Sequence, residues 1–223
     1  MRYRHRFKFL SFPYYHVEHM LILLIDDNEK LCGLYQQILA KGGHDARIET
    51  DPTKALDAIR AVKPDLLLLD LMMEPISGWD VLEQIRSSPE LAELPVIILT
   101  GKVLTAPEAL KYGMIIEGFI MKPLERNMLL AAIDEVKNVL DESEERYLRA
   151  LSSGMSPDKA LSCKTAIKKM KMLLFLRETL SKQERLMSQG IDEGSDLMNN
   201  LSALREMIAR EFSRIHQETE NCP

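Results

Sequence analysis

The sequence predicts an open α/β fold, in which helices cover both faces of a parallel sheet. Four short apolar runs each end in a polar residue, as buried parallel strands do. The runs are residues 21–25, 66–69, 96–99 and 119–121, and the polar residues after them are Asp26, Asp70, Thr100 and Lys122. Helical patterns separate the runs, and strands that alternate with helices form right-handed parallel crossovers.

The predicted helices carry recognisable signals at their ends. Asp51 can cap a helix that begins at Pro52, because proline is tolerated in the first turn. Thr105 and Glu108 have the spacing of a capping box before a short helix that Gly113 can close. Apolar residues at three- and four-residue spacing predict two further helices, over residues 79–86 and 126–140.

One strand differs from the others and sets the predicted order of the sheet. Residues 44–50 contain only Ala46 and Ile48 as an alternating apolar pair, which is typical of an edge strand. A flavodoxin-like sheet of strand order 2-1-3-4-5 places the second strand at an edge. In such sheets ligands bind beyond the carboxyl ends of the strands, where the order reverses between strands 1 and 3.

Three carboxylates are predicted to meet at that reversal point: Asp26, Asp27 and Asp70. They repel one another unless a cation joins them, and an all-oxygen set of ligands suits Mg²⁺. Thr100 and Lys122 would add a hydroxyl and an ammonium at the same edge, so that the group could hold an anion attached to a carboxylate. The simpler alternative is that Asp27-Asn28 only caps the helix that follows, since Asp and Asn both accept from first-turn amides.

Residues 20–140 resemble the receiver domain of two-component response regulators. The motifs that carry the resemblance are LLIDDNE, DLLLLDLMMEPISGWDVL, PVIILTG and FIMKP, in the order and at the spacing of that family. The resemblance implies that Asp70 accepts a phosphoryl group from the histidine of a sensor kinase. It also implies that Asp26, Asp27, Asp70 and the backbone carbonyl of Met72 bind Mg²⁺.

The same resemblance assigns roles to three residues around the phosphoryl group. Thr100 and Lys122 would contact its oxygens, and Phe119 would be the switch aromatic that moves when Thr100 does. The surface around the fifth strand and the helix before it would carry the output. On this interpretation the domain is not an enzyme with a separate substrate, because it catalyses only its own Mg²⁺-dependent phosphotransfer and dephosphorylation.

Two details depart from the commonest pattern of the family. The proline after the phosphoacceptor is Pro75, one position later than usual, and Glu74 occupies the usual position of the proline. Ser77 stands before Gly78 where the family commonly has an acidic residue. The motif DLMMEP, together with the motifs GW and TGK, is similar to the corresponding motifs in receiver domains of archaea, especially of methanogens. None of these changes removes a residue of the predicted chemistry.

Composition limits the classes of protein further. The chain of 223 residues has room for one ordinary domain and an appendage, and its net charge of −5 gives no general case for nucleic acid. Its apolar stretches are too short for a membrane span. The cysteines, which are Cys32, Cys163 and Cys222, are odd in number and far apart, which predicts free thiols in a reducing, cytoplasmic compartment.

Residues 1–19 alternate basic and aromatic residues, and they carry no helical or strand periodicity that continues into the segment that follows. We expect a disordered leader or an over-extended start, with Met20 as a natural initiator. A membrane-surface or nucleic-acid arm is the alternative, because the segment is basic.

The tail after the receiver has no strand signal and is predicted to be helical. Residues 141–155 form a linker or continue the preceding helix, and residues 156–223 form a helical hairpin. One helix would begin at Ser156-Pro157 and end near Ser188, and the next would begin at Ser195 or Asp196. The first is lysine-rich and the second has more acids than bases, which favours an antiparallel, coiled-coil-like pair within one chain or across a homodimer.

Several functions stay open at this stage. A response regulator that acts through contacts with an unidentified effector protein or through dimerisation is favoured. There are two alternatives: a DNA-binding regulator that uses the basic tail, and a static helical scaffold. Aspartyl phosphatases place a second acid where this chain has Met72, and dinucleotide enzymes need a glycine-rich turn after the first strand, so neither class fits. His216 faintly resembles a phosphoacceptor histidine, although an interfacial role is simpler.

Overall fold

The structure is a computed structural model that describes residues 19–102, 108, 111–113, 115–187, 196–219 and 222. The predicted leader lies outside these residues, apart from His19. Thr105 and most of the helix predicted to follow it also lie outside them, although Glu108, Lys111 and Tyr112 are helical.

A parallel sheet of five strands forms the centre of the fold, in the order β2-β1-β3-β4-β5. The strands are β1 Leu21–Ile25, β2 Asp45–Glu49, β3 Leu66–Asp70, β4 Val96–Thr100 and β5 Gly118–Met121. The strand order and the edge position of β2 were both predicted, and both are confirmed. The register pairs Asp70 of β3 with Leu99 of β4, and Thr100 of β4 with Met121 of β5. The polar residues that end the strands are therefore brought to one edge of the sheet.

Six α-helices and one short 3₁₀ helix with complete bounds in the described part of the chain surround and extend the sheet. They are α1 Glu29–Lys41, the 3₁₀ helix Pro52–Lys54, α2 Ala55–Val62, α3 Gly78–Ser87, α4 Arg126–Ser152, α5 Pro157–Met187 and α6 Asp196–Thr219. Asp51 caps the 3₁₀ helix, accepting from the Thr53 N–H at 3.0 Å. Ser77 and Asp80 form a capping box at the start of α3. Lys63 ends α2 in the left-handed conformation, with φ of 52°.

Alternate residues of β1, β3, β4 and β5 pack into two apolar cores, one on each face of the sheet. Leu67 and Leu69 of β3 pack under α2 and α3, whereas Leu66 and Leu68 pack under α1 and α4. Strands β3 and β4 are buried along their whole length, as strands that carry helices on both faces must be. This double burial explains why their sequences are continuous apolar runs.

The tail is an antiparallel helical hairpin, as predicted. Helix α4 continues without a break past Leu140 to Ser152, and a turn containing Gly154 at φ of +87° leads into α5. Helices α5 and α6 run in opposite directions, since Cys163 near the start of α5 bonds to Cys222 after the end of α6, whereas Lys169 further along α5 pairs with Glu211 within α6 at 3.1 Å. The division of the chain into domains at residues 140 and 155 remains a prediction.

The hairpin packs on the receiver-like domain as well as on itself. Leu173, Ile208 and Ile215 of the tail belong to the same buried cluster as Phe119 of β5. An ion pair reinforces this packing, because Lys168 Nζ of α5 lies 3.3 Å from Oε1 of Glu117, the residue before β5. The sequence had left open whether the hairpin covers its apolar stripes on itself, on the domain or on a second copy.

The cysteine prediction was wrong for two of the three residues. Cys163 and Cys222 form a disulfide across a separation of 59 residues, and Cys32 is free and buried. The antiparallel hairpin places the second turn of α5 beside the residues that follow α6, which sequence spacing could not reveal. The cysteines therefore no longer support a reducing compartment.

Within the described ranges, no helix is both long enough and apolar enough to cross a membrane.

Candidate functional site

Two neighbouring strands end in the three carboxylates of the site. Asp26 and Asp27 follow β1, Asp70 is the last residue of β3, and the two strands are paired up to Ile25 and Leu69. One oxygen from each carboxylate lies within 4.8 Å of the others. Asp26 and Asp70 are buried, whereas Asp27 is exposed to solvent. The sequence predicted this meeting from strand ends alone, and the structure shows it.

Lys122 reaches the carboxylates from the end of β5. Its Nζ lies 2.6 Å from Asp26 Oδ2 and 2.9 Å from Asp70 Oδ1. Burial raises the pKa of Asp70, and the hydrogen bond from Lys122 opposes that rise. Burial would lower the pKa of Lys122, but its hydrogen bonds to the two carboxylates outweigh burial and raise it. The ammonium is therefore held in its charged form next to Asp70.

The residues of the site fit a divalent cation. Three carboxylates lie close together and the Lys122 ammonium pairs with two of them, which leaves two negative charges in excess at a partly buried position. An all-oxygen set with one carboxylate open to solvent suits Mg²⁺, which binds through a few carboxylates and retains waters. The Met72 N–H donates to Asp70, and the Met72 side chain is exposed. Its backbone carbonyl remains a predicted ligand.

The helix-capping alternative for Asp27-Asn28 is confirmed for Asn28. Its side chain accepts from the Leu31 N–H at 3.2 Å, and so it is Asn28 that caps α1. Asp26 Oδ1 accepts from the Asn28 N–H at 2.9 Å, while Asp27 Oδ2 accepts from the Glu74 N–H at 3.3 Å. The loops after β1 and β3 are thereby tied together. Sequence reasoning missed the contact with Glu74, because backbone donors leave no residue-type signal.

Thr100 lies at the end of β4 with its hydroxyl already occupied. It is fully buried, accepts from the Lys102 N–H at 2.9 Å and donates to the Lys102 carbonyl at 3.1 Å. A phosphoryl oxygen at Asp70 would compete with the Lys102 carbonyl for the hydroxyl hydrogen. Phe119 is buried in the core on the α2 and α3 face, so the aromatic ring lies inside in this structure.

Gly78 allows the first turn of α3 to approach the backbone of Asp70. A Cβ built at Gly78 would lie 2.0 Å from the Asp70 carbonyl oxygen and 2.9 Å from the Leu71 Cα. Because both obstacles are backbone atoms, no side-chain rotation can relieve the overlap. The Gly78 N–H donates to the Leu71 carbonyl at 3.1 Å, which fixes the loop that begins at Asp70.

An aromatic and charged network adjoins the site on the α3 side. The Trp79 and Tyr112 rings stack with centroids 4.0 Å apart, and Trp79 Nε1 donates to Glu108 at 3.2 Å. Glu108 also pairs with Lys102 Nζ at 2.7 Å. The backbone of Lys102 holds the Thr100 hydroxyl, so this network connects α3 with the loop after β4. The sequence offered no signal for it beyond the presence of a single tryptophan.

The fold and the site define a flavodoxin-like α/β domain with an acidic crevice and a lysine at the point where the strand order reverses. The family model of the response regulator receiver domain matches residues 22–134, about half of the chain. The chain belongs to the response regulator receiver family, as its motifs predicted.

Several proteins of known description resemble the chain. The DNA-binding response regulator MtrA of Mycolicibacterium paratuberculosis is 34% identical over 112 residues, which cover 50% of this chain and 48% of that protein. The probable transcriptional regulator ycf29 of Pyropia yezoensis is 28% identical over 124 residues, covering 55% of this chain and 56% of that protein. The chain thus spans about half the length of these curated relatives.

Among solved structures, the N-terminal domain of a response regulator receiver protein from Methanoculleus marisnigri JR1 is 39% identical. The alignment covers 52% of this chain and 95% of that one, with a TM-score of 0.46.

Proposed function

We propose that this chain is a response regulator whose Asp70 accepts a phosphoryl group from the phosphohistidine of a sensor kinase, with Mg²⁺ as cofactor. The observation that carries the proposal is the geometry of Asp70. Its carboxylate lies within 4.8 Å of those of Asp26 and Asp27, and 2.9 Å from the ammonium of Lys122. A nucleophile, a set of oxygen ligands and a fixed positive charge are the parts that phosphoryl transfer to a carboxylate requires.

In the transfer, an oxygen of Asp70 would form a bond to phosphorus while the bond from phosphorus to the histidine nitrogen breaks. Lys122 is already placed to offset charge on the phosphoryl oxygens, so it needs no large rearrangement. When bound by Asp26, Asp27, Asp70 and the Met72 carbonyl, Mg²⁺ would offset negative charge on the transferring group. The domain would act only on its own phosphoryl group and on no separate substrate.

The acyl phosphate would change the hydrogen bonds of Thr100. Its hydroxyl would leave the Lys102 carbonyl for a phosphoryl oxygen, and Phe119 would follow into the vacated space. Phe119 shares a buried cluster with Leu173, Ile208 and Ile215 of the tail. A change at Asp70 would therefore reach the contact between β5 and the helical hairpin.

We propose that output occurs through protein contacts of this region, including homodimerisation, in the cytoplasm. The charges of α5 support contacts with protein more than contacts with nucleic acid. Four of its lysines form ion pairs with carboxylates of the same chain: Lys164 with Glu144, Lys168 with Glu117, Lys169 with Glu211 and Lys171 with Glu142. Phosphate contacts through these lysines would first have to break those pairs, which removes much of the electrostatic gain.

DNA binding is the second candidate, because relatives such as MtrA are described as DNA-binding. Those relatives match this chain over about half of their length. A titration of duplex DNA with the full chain, and with a chain ended after Leu140, separates the two candidates. Sequence-preferring binding that is lost on truncation would favour the DNA-binding candidate and contradict an output through protein contacts alone.

The phosphoacceptor proposal is tested by intact mass after incubation with acetyl phosphate and Mg²⁺, with light scattering of the same samples. We expect one added phosphoryl group on the wild type and none on Asp70→Asn. Asp57→Asn, which changes an exposed aspartate on α2, is the matched control and should accept the group normally. An equal adduct on Asp70→Asn would refute the assignment. If acetyl phosphate gives no adduct, phosphorylated sensor kinase replaces it, and failure with both donors would refute phosphoacceptance.

A further inference from the structure

A disulfide joins the two helices of the tail at the end of the hairpin opposite their connection. Helices α5 and α6 follow one another in sequence through residues 188–195, and the Cys163–Cys222 bond joins them again at the other end. Both cysteines are partly accessible to solvent. Small-molecule thiols can therefore reach the sulfurs without unfolding the receiver domain.

Several described contacts hold α6 in place besides the disulfide. Glu211 pairs with Lys169 at 3.1 Å, Thr219 contacts Met170, and Ile208 and Ile215 pack into the core. Ile215 lies seven residues before Cys222 in sequence. The covalent bond therefore anchors the segment that carries Ile215, one of the two α6 side chains that are buried among those the structure describes.

We propose that Cys163 and Cys222 are a redox-responsive staple that fixes the end of α6 on α5 when oxidised and frees it when reduced. The location proposed above supports a reversible bond, because disulfides in a reducing compartment are usually transient and redox-sensing. The staple itself does not depend on phosphorylation, since neither cysteine belongs to the Asp70 site.

The chemistry is thiol–disulfide exchange with a small-molecule disulfide such as oxidised glutathione. One protein thiolate attacks a sulfur of the small disulfide, which forms a mixed disulfide and releases one small thiolate. The second protein thiolate attacks the protein sulfur of that mixed disulfide and releases the other small thiolate. The protein loses two electrons and two protons, and the small disulfide gains them as two thiols.

Opening the bond would act on the receiver through packing. Ile208 and Ile215 share a cluster with Phe119 of β5, so a freed α6 would weaken the cover over that cluster. The redox state of the pair would thereby set how readily the surface near β5 becomes available to a partner. This input would be separate from phosphorylation and would act on the same surface.

The test equilibrates the full chain in mixtures of reduced and oxidised glutathione, followed by alkylation in denaturant and intact mass. We expect three alkylated thiols under reducing conditions and one, from Cys32, under oxidising conditions. Cys222→Ser should abolish the intramolecular bond, whereas Asp70→Asn should keep it. This second variant separates failure of the staple from failure of the proposed phosphoacceptor function.

Hydrogen exchange of the α6 amides supplies the structural readout. We expect exchange in the last turns of α6 to be about tenfold faster in the reduced chain than in the oxidised chain, and Cys222→Ser to match the reduced chain. Three results would overturn the proposal: a bond that excess reduced glutathione leaves intact in the native chain, a disulfide that links two chains instead, or equal exchange in both redox states.

Discussion

The ion pair between Glu117 and Lys168 contributes to docking of the tail on the receiver. Glu117 is buried, and its Oε2 accepts from the Val96 N–H at 2.7 Å and from Arg86 at 3.3 Å. Its Oε1 pairs with Lys168 Nζ at 3.3 Å, and the Lys168 side chain is 15% exposed. Lys168 is thus the charge that the tail contributes to a network otherwise made by the receiver.

The expected energy follows from distance and burial. At 3.3 Å the attraction between unit charges is about 1 kcal/mol in bulk water and about 5 kcal/mol at an effective dielectric constant of ~20. Desolvation of both groups offsets part of this attraction. We therefore expect a coupling free energy of about 1–3 kcal/mol in a double-mutant cycle of Glu117→Gln and Lys168→Met.

The assay is hydrogen exchange of the α5 amides near Lys168, because undocking of the tail opens them without unfolding the receiver. A loss of 1–3 kcal/mol corresponds to exchange that is roughly 5- to 150-fold faster. Lys159→Met removes an exposed lysine from the same helix and should change exchange by less than about twofold. A coupling energy below about 0.3 kcal/mol would mean that this ion pair does not contribute to docking of the tail, and would refute the reasoning.

Three further predictions concern separate parts of the chain. Gly78→Ala should destabilise the receiver by about 2–4 kcal/mol in urea unfolding, since its Cβ would overlap the Asp70 carbonyl; an unchanged midpoint would contradict the close approach. Lys63→Gly should stabilise it by up to about 1 kcal/mol, since glycine adopts the left-handed conformation without strain; a loss of stability would show that strain there is negligible. Hydrogen bonds from Arg214 and then Lys169 lower the pKa of Glu211 to about 2. The contribution of Glu211 to the free energy of unfolding should therefore be complete above about pH 4.5 and be lost as the pH falls towards 2. In thermal unfolding followed as a function of pH, Glu211→Gln should remove a loss of about 1–3 kcal/mol in the stability of the tail at acid pH. If the variant loses the same stability at acid pH as the wild type, other carboxylates are responsible for that loss.

Much of the receiver could be predicted because its signals are local. Continuous apolar runs identify strands buried on both faces, and the weaker alternation of β2 identifies the edge. Once the strands are known to be parallel, their carboxyl ends must share one edge of the sheet. The meeting of Asp26, Asp70 and Lys122 follows from that geometry, although the three residues are far apart in sequence.

Contacts between distant elements could not be predicted in the same way. Gly78 is one glycine among ten in the chain, and only the folded loop shows that it touches the Asp70 backbone. Glu117 is one acid before an apolar run, and its two cationic partners come from α3 and α5. Periodicity shows which face of an element is buried but not which other element covers that face.

The sequence by itself determined the α/β class, the strand order, the residues at the strand ends and the helical nature of the tail. Each of these depends on patterns within one element, or on the rule that parallel strands end at a common edge. Only the tertiary structure decided that the hairpin lies against β5, that Lys168 completes the network at Glu117, and that Cys163 meets Cys222. Those contacts depend on how whole helices dock, and docking is set by the summed fit of many side chains rather than by any local pattern.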